Sequence, residues 1–469
     1  MFLRLGASAL LLSLALAAPA AETPASVTVS YAQGAANAYG RASAAAATLA
    51  QALSHFSQQP TAEGLAAAKT AWIAAHQAYS PTEVYRFNNG PIDHAETGPE
   101  TKINAWPLDE QWVDATVDAP ASGLINQAGL TLTPEALLEW NEKDGEKNIA
   151  TGFHAIEFLL WGQDRDPQGP GQRPLTDFTT APQAARRRQY LTIAGNLLVT
   201  HLQQVQAAWA EAPGTYRQAL VQGDPQEGVR QALNGMLMLA GDELSGERIA
   251  VAWETQDQEE EQNCFSDTTH LAIQGNLAGI RAVWAGPLEA LVASKDSAIA
   301  GRVSQRLVAA EAAAAAIPAP FDAAIQGGND APGRRAVLAT IEALESLAEE
   351  IVVAAKTVGV ELEFGCNPNN AIIGCGELLA DLPAVVAAVK ARDAAAATAA
   401  FASVNGRWLR LESALRTVDP ILYKTTESAL EGLRIAALRA KTPTAEAVQA
   451  KADALAAQIT AVAKRLKPE

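Results

Sequence analysis

Thr151–Gly162 reads TGFHAIEFLLWG, and the spacing of its apolar residues decides what this stretch forms. Phe153, Ile156, Leu159 and Leu160 recur at intervals of three and four residues, which predicts a helix with one face in a core. The same stretch holds one imidazole and one carboxylate, on His154 and Glu157. At a spacing of three residues, both side chains project from one face of the helix.

A histidine and a glutamate at the edge of a core suit a transition metal. The pair supplies two ligands, and a metal site needs at least three. The others must come from facing helices, as in helical bundles that bind metals through inward carboxylates and histidines. The alternative is structural: a buried histidine satisfied by its neighbours and a glutamate on the helix surface.

The rest of the chain also indicates helices. Alanine-rich segments without turn residues predict long helices at 31–59, 182–212, 225–255, 296–317 and 332–358. Pro81 interrupts a further helix, and residues 88–134 hold the Gly, Pro, Asn and Asp of a long irregular insertion. No convincing strand pattern occurs, so the fold class is all-α. After Gly376, three or four more helices are expected, divided at Pro383, Asp393 and Pro420.

The N-terminus resembles a secretory leader over residues 1–20, with Arg4, an apolar run and Ala18-Pro19-Ala20. Its removal takes one positive charge from a chain whose formal net charge is already −17. So acidic a surface argues against nucleic acid and anionic lipid as partners. No later segment is long enough for a transmembrane span. We therefore expect an exported protein without a membrane span in its mature chain.

The cysteines are Cys264, Cys366 and Cys375. An exported chain can form disulfides, and Cys366 and Cys375 flank a turn-rich loop, so this pair is favoured and Cys264 is expected to be free. All three pairings stay open at the sequence level.

Several blocks resemble the imelysin family. Its hallmark, G-x-H-x-x-E, occurs as Gly152, His154 and Glu157 within NIATGFHAIEFLLWGQD. The blocks YSPTEVYRFNNGPID, INAWPLDE, GPGQRPLTDF, ELSGERI and CFSDTTH are also similar, above all to the iron-regulated (IrpA-like) and insulin-cleaving members. Together they span about residues 31–360.

The resemblance implies two helical bundles related by duplication at 31–360. A cysteine-containing loop at 361–376 and further C-terminal helices at 377–469 follow. It implies a protein of the periplasm or cell envelope that takes part in iron uptake or handling. It also implies a metal ion as ligand and allows an envelope or membrane transport partner. The family is catalogued as peptidase M75, so a metallopeptidase is the alternative activity.

The similar blocks extend the set of candidate site residues. Glu83 in TEVYRF joins His154 and Glu157 as a candidate metal ligand. Further candidates, as ligands or as residues that hold the ligands, are Arg86, Asp93, Glu247, Arg248, His270 and His76. A surface ion pair of Glu83 with Arg86 and a turn role for Asp93 remain alternatives. Asp267 is also a possible ligand, but it is more simply the N-cap of the helix that follows it.

Motif chemistry favours metal binding over peptide cleavage. The zinc peptidase motifs H-E-x-x-H and H-x-x-E-H are both missing; in the second, Phe158 stands where the final histidine would follow Glu157. Iron is the metal expected first and zinc second, since imidazole and carboxylate accept both. A third hypothesis is a non-catalytic helical scaffold of the envelope.

Overall fold

A computed structural model describes residues 22–94, 96–166, 168–362, 368–408, 411, 415, 418–440 and 442–466. Every regular element in these ranges is helical, which confirms the all-α prediction. The predicted leader, residues 1–20, lies outside the described residues. Within the described ranges, no helix combines the length and apolarity that crossing a bilayer requires.

The α-helices up to the end of the π-helical segment are α1 Pro24–Gln58, α2 Ala62–Tyr79, α3 Glu110–Val113, α4 Pro134–Trp140, α5 Gly152–Trp161, α6 Thr176–Thr179, α7 Ala184–Ala208, α8 Tyr216–Gln222 and α9 Pro225–Met238. The later ones are α10 Val251–Thr255, α11 Thr269–Trp284, α12 Pro287–Lys295, α13 Ser297–Ala315, α14 Phe321–Ile325, α15 Pro332–Thr357, α16 Pro368–Ala391, α17 Ala394–Trp408, α18 Pro420–Arg434 and α19 Ala445–Arg465. Short 3-10 helices occur at Ser80–Tyr85, Glu100–Lys102, Leu124–Asn126 and Gln258–Glu260, and π-helices at Leu239–Ala250 and Ile435–Arg439.

The long predicted helices are present close to their expected limits. Helix α1 begins earlier than residue 31, because Thr23 caps its first turn and Pro24 occupies its first position. The run predicted at 225–255 is continuous, but its middle widens into the π-helix Leu239–Ala250. Long π-helical stretches are rare and occur often at functional sites.

Helix α1 is the centre of the larger core. It packs along α7 and α2 and also contacts α9. Its buried face is rich in alanine, including Ala35 and Ala42, which lets neighbouring helices approach closely. Large side chains such as Trp72 and Tyr190 fill the space that these alanines leave. The core extends to α13 and α15, which pack on each other.

The 3-10 segment Ser80–Tyr85 follows α2 directly, as the interruption at Pro81 predicted. It contacts α9 and α11. A Cβ atom at Gly235 of α9 would lie 2.0 Å from the carbonyl oxygen of Val84, so only glycine allows this approach. The close packing places Glu83 inside the protein.

The predicted irregular insertion, residues 88–134, contains only short helical turns. Asp114 anchors it, because its carboxylate accepts bonds from Arg187 at 2.6 Å and from Arg173 at 2.9 Å. The carbonyl oxygen of Ile103 in the same insertion accepts the backbone N–H of Phe153 at 2.8 Å. The insertion therefore covers the N-terminus of α5.

Helices α16–α19 build a second hydrophobic core. The break predicted at Pro383 is wrong, since Pro383 lies inside α16. The neighbouring Leu382 and Val385 are buried in this core, and their packing holds the helix together across the proline. The unit contacts the larger core through the Tyr423 hydroxyl, which donates to Glu247 at 2.8 Å.

Cys264 is buried and carries a free thiol. Cys366 lies outside the described residues, so its pairing with Cys375 stays a prediction. The domain limits drawn from the resemblance also stay predictions.

Candidate functional site

Helix α5 carries the two central residues into the protein interior. His154 Nδ1 and Glu157 Oε2 lie 2.9 Å apart, and both side chains are completely buried. Every residue of α5 is buried, so the helix has no solvent-facing side. The alternative of a surface glutamate is therefore wrong.

The second oxygen of Glu157 is held by the segment before α11. Ser266 donates its backbone N–H at 3.0 Å and its hydroxyl at 2.6 Å to Glu157 Oε1. With His154 on one oxygen and Ser266 on the other, the carboxyl group is fixed in one orientation.

Burial sets the protonation of this pair. It raises the pKa of Glu157 to about 8, although the bonds from Ser266 oppose the shift. Burial also lowers the pKa of His154 to about 3, assisted by the positive charge of Arg248. At neutral pH the pair is therefore a protonated carboxyl group that donates to a neutral imidazole.

His154 Nε2 is buried and has no hydrogen-bond partner. A buried polar nitrogen without a partner is costly in a native protein and needs an explanation. A histidine whose Nδ1 bonds a carboxylate while its Nε2 is free is the arrangement that many metal sites use. In the neutral pair the ring proton lies on Nε2, so this atom would become a metal ligand only when the proton moves to Nδ1 and Glu157 gives up its own.

His76 on α2 lies beside His154, with 5.7 Å between the ring centroids. Its Nε2–H donates to Asn104 at 3.2 Å, and its Nδ1 accepts from Asn263 at 3.2 Å. Trp72 stacks on the ring at a centroid distance of 5.0 Å. Because both ring nitrogens already have hydrogen-bond partners, His76 lines the site and offers no free ligand atom.

Glu83 belongs to a buried ion-pair network beside these rings. Its Oε2 accepts from Arg248 at 2.5 Å and from Arg86 at 2.7 Å. Burial favours the neutral acid, but Arg86 and Arg248 outweigh it and lower the pKa of Glu83 to about 2. The alternative of a surface pair is wrong, because Glu83 is fully buried. Its Oε1 has no close hydrogen-bond partner, although the nearby Tyr79 hydroxyl helps to lower the pKa of the carboxyl group.

Glu243 completes the network. It accepts from Arg248 at 2.6 Å and lies 3.5 Å from Arg86. Both Glu243 and Arg248 project from the π-helix Leu239–Ala250, which therefore carries one side of the site. Among the charges near His154, Arg248 lowers and Glu83 raises its pKa.

The remaining candidates lie elsewhere. The Asp93 carboxylate accepts hydrogen bonds from the backbone N–H groups of Asn88 at 3.0 Å and Gly90 at 2.7 Å. Asp93 therefore stabilises a turn, as the alternative for this residue proposed. Glu247 faces the C-terminal unit through Tyr423. His270 is half-buried on the first turn of α11.

Asp267 is not the N-cap of α11, so this prediction is wrong. The helix begins at Thr269, and Thr268 occupies the cap position without a side-chain bond. Asp267 has a φ of 55°, and neither of its buried carboxylate oxygens has a hydrogen-bond partner.

His154, Glu157 and Glu83 do not bring three ligand atoms within 4.8 Å of one another. In the described part of the chain, one group of His, Cys, Asp or Glu does so, formed by Asp164, Asp267 and Asp322. The predicted set of metal ligands therefore stays a prediction.

Sequence reasoning missed several residues that complete the site. Ser266 and Asn263 flank Cys264 and Phe265, and Ser266 lies within a block noted for its family resemblance, so that block held the signal. Glu243 is the first residue of ELSGERI, which is also a block noted for its family resemblance. Asn104 had no signal beyond its place in INAWPLDE.

With this geometry in hand, comparison with known proteins decides the family. The imelysin family model (peptidase M75) matches residues 35–351, which is more than half of the chain. The chain belongs to the imelysin family. The match includes α5, the 3-10 segment with Glu83 and the π-helix with Arg248.

A curated relative is the iron-regulated protein A of Synechococcus elongatus. It is 25% identical over 331 residues, which cover 67% of this chain and 80% of that protein.

Two crystal structures share the fold. One is a putative iron-regulated protein A precursor from Parabacteroides distasonis, with a TM-score of 0.57 and 18% identity. It covers 73% of this chain and 97% of its own. The other is an imelysin-like protein from Psychrobacter arcticum, with a TM-score of 0.53 and 18% identity. It covers 74% of this chain and 100% of its own.

Proposed function

We propose that this imelysin is an exported iron-handling protein of the periplasm or envelope that binds a metal ion at His154 Nε2. The observation that carries the proposal is the buried Nε2 atom without a partner, on a ring oriented by Glu157. Glu83 Oε1, also buried and without a close hydrogen-bond partner, is the second donor atom in reach of the same network. Water or a chelator of the ion would complete the coordination shell.

The role of Glu157 in this proposal is to fix the histidine tautomer. The metal requires a lone pair on Nε2, so the ring proton must sit on Nδ1 and point to a carboxylate. Since Glu157 is protonated at neutral pH, binding should release its proton. Affinity should then rise with pH, up to about tenfold per unit, until about pH 8.

A metallopeptidase is less well supported. His154 and Glu157 are completely buried, and a polypeptide is too large to reach them without an opening of the surrounding helices. An ion is small enough to enter through local motion of the π-helical segment. A membrane or envelope transport partner that receives the ion stays part of the proposal.

The test is an anaerobic titration of the metal-stripped protein with Fe(II), and in parallel with Zn(II). His154→Ala should remove most of the affinity. Glu157→Gln should keep the fold, because its amide can accept from Ser266 and donate to His154 Nδ1. That amide leaves the proton on Nε2, so affinity should fall by roughly 10- to 100-fold.

His55→Gln is the matched control, since His55 is exposed on α1. Proton release is measured by calorimetry in buffers of different ionisation enthalpy and should disappear in Glu157→Gln. Wild-type affinity in both site variants would refute the proposal. A preference for zinc over iron would favour the peptidase alternative.

A further inference from the structure

Three aspartates from distant parts of the chain meet at one point. Asp164 follows the end of α5, Asp267 precedes α11, and Asp322 lies in the first turn of α14. One carboxylate oxygen from each lies within 4.8 Å of the other two. Asp164 and Asp322 do not belong to the candidate set that the sequence defines around His154.

These carboxylates lack the partners that buried acids normally have. Asp322 is 0% exposed and Asp267 is 6% exposed, and no side chain of another residue type donates a hydrogen bond to either carboxyl group. Asp322 lies close enough to Asp164 for the two carboxyl groups to share a proton. Asp164 is the partly exposed member, and it accepts bonds from Gln258 at 3.2 Å and from the N–H of Asp166 at 3.1 Å. The neighbouring charges that act most strongly on the three carboxyl groups are all acidic, among them Asp166 and Glu157.

Glu261 is an independent sign that a cation is expected here. It is 0% exposed, and neither of its carboxylate oxygens has a partner. Burial raises its pKa, and the nearby charges of Asp322, Asp267 and Asp164 raise it further. The charges that act most strongly on these four groups are themselves acidic. The four groups would repel one another strongly if they were ionised.

We propose that Asp164, Asp267 and Asp322 form a binding site for a hard divalent cation of the calcium type, with Glu261 beside it. The donor atoms are all oxygen, which calcium prefers. Calcium binds oxygen at about 2.3–2.6 Å, so two ligands on opposite sides of one ion lie up to about 5 Å apart. The oxygen atoms of the three aspartates are therefore close enough together to share one ion.

The site would also order the residues around His154. Ser266, which fixes Glu157, directly precedes Asp267, and Asp164 lies shortly after the end of the helix that carries His154. A cation that joins the two aspartates would tie these segments together. This cation would have a structural role and would be distinct from the iron ion of the proposed function.

The test uses the full mature chain with calcium alone as the probe, after treatment with a chelator. Isothermal titration should give about one ion per chain. Asp322→Asn and Asp267→Asn should each weaken the affinity by about tenfold or more. Asn tolerates the left-handed backbone at position 267, so that variant keeps the local conformation. Asp330→Asn, an exposed aspartate after α14, is the matched control.

Thermal melting supplies a second readout. In chelator, Asp322→Asn should melt at or above the wild-type temperature, because it removes repulsion. In excess calcium the wild type should gain stability, and the variant should gain much less. His154→Ala should leave the calcium response unchanged, which separates this proposal from the iron proposal.

Absence of calcium binding to the wild type, or equal binding by both Asn variants, would overturn the proposal. Such a result would mean that the cluster is kept neutral by protons, since burial raises the pKa of Asp267 to about 8 and of Asp164 to about 7. Loss of calcium binding in His154→Ala would also overturn it.

Discussion

The protonation of the His154–Glu157 pair can be tested through stability alone, without any metal. Glu157 has a pKa of about 8 when folded against an ordinary value of 4.5. The unfolded state therefore binds fewer protons between these values, and stability falls as pH rises, by about 1.4 kcal/mol per unit. His154, with a pKa of about 3 against 6.5, acts in the opposite direction between pH 3 and 6.5.

The two contributions cancel between pH 4.5 and 6.5 and leave Glu157 alone above 6.5. From there to about pH 8 the wild type should lose about 2 kcal/mol through this pair. Glu157→Gln mimics the protonated carboxyl group and cannot titrate, so it should not show this loss. Other acids with a raised pKa, such as Glu110 at about 7, titrate in both proteins and cancel in the comparison.

The assay is urea unfolding of metal-stripped protein, wild type and Glu157→Gln, at half-unit steps from pH 5.5 to 8.5. The difference in unfolding free energy between the two should shift by about 2 kcal/mol in favour of the variant across pH 6.5–8. Glu139→Gln, at a glutamate whose side chain is 71% exposed, is the control and should run parallel to the wild type. Parallel curves for Glu157→Gln would show that Glu157 is ionised when folded.

Three further changes test the surroundings of the site. Glu83→Gln removes one of the two buried carboxylates that Arg86 and Arg248 share and leaves them Glu243, so thermal or urea unfolding should show a loss of up to about 3–5 kcal/mol. Gly152→Ala puts a Cβ atom 2.6 Å from the Ile103 oxygen at a φ of 88°, so the same assay should show a loss of at least about 1–2 kcal/mol. Tyr423→Phe removes the bond to Glu247 at a cost of about 1 kcal/mol, and limited proteolysis should then release the C-terminal unit sooner.

Local patterns explain why much of the fold was predictable. The period of the apolar residues and the positions of proline and glycine are local signals, and they predicted α1, α7, α13 and α15 near their observed limits. Pro383 shows the limit of this reasoning. A proline interrupts a helix only when no tertiary packing offsets its cost, and the second core offsets it here.

The candidate site was predictable where its residues are close in sequence. His154 and Glu157 share one helical turn, so their contact follows from geometry alone. The contact between Glu157 and Ser266 does not follow from local geometry. Ser266 lies over a hundred positions away, and its contact with Glu157 depends on how α5 and α11 pack. The family resemblance pointed to the block that contains Ser266, but it did not predict the hydrogen bond from Ser266 to Glu157.

Asp322 is the extreme case. Its neighbours PAPFDAA carry no unusual feature, and its significance arises only because the chain folds it against Asp164 and Asp267. For Asp267 the sequence-based prediction of an N-cap was wrong, although an aspartate before a helix is usually a cap. A cap would have given its carboxylate a donor, whereas neither of its oxygens has a hydrogen-bond partner here. The missing donor, which sequence cannot reveal, is what favours the ligand role of Asp267 over the cap.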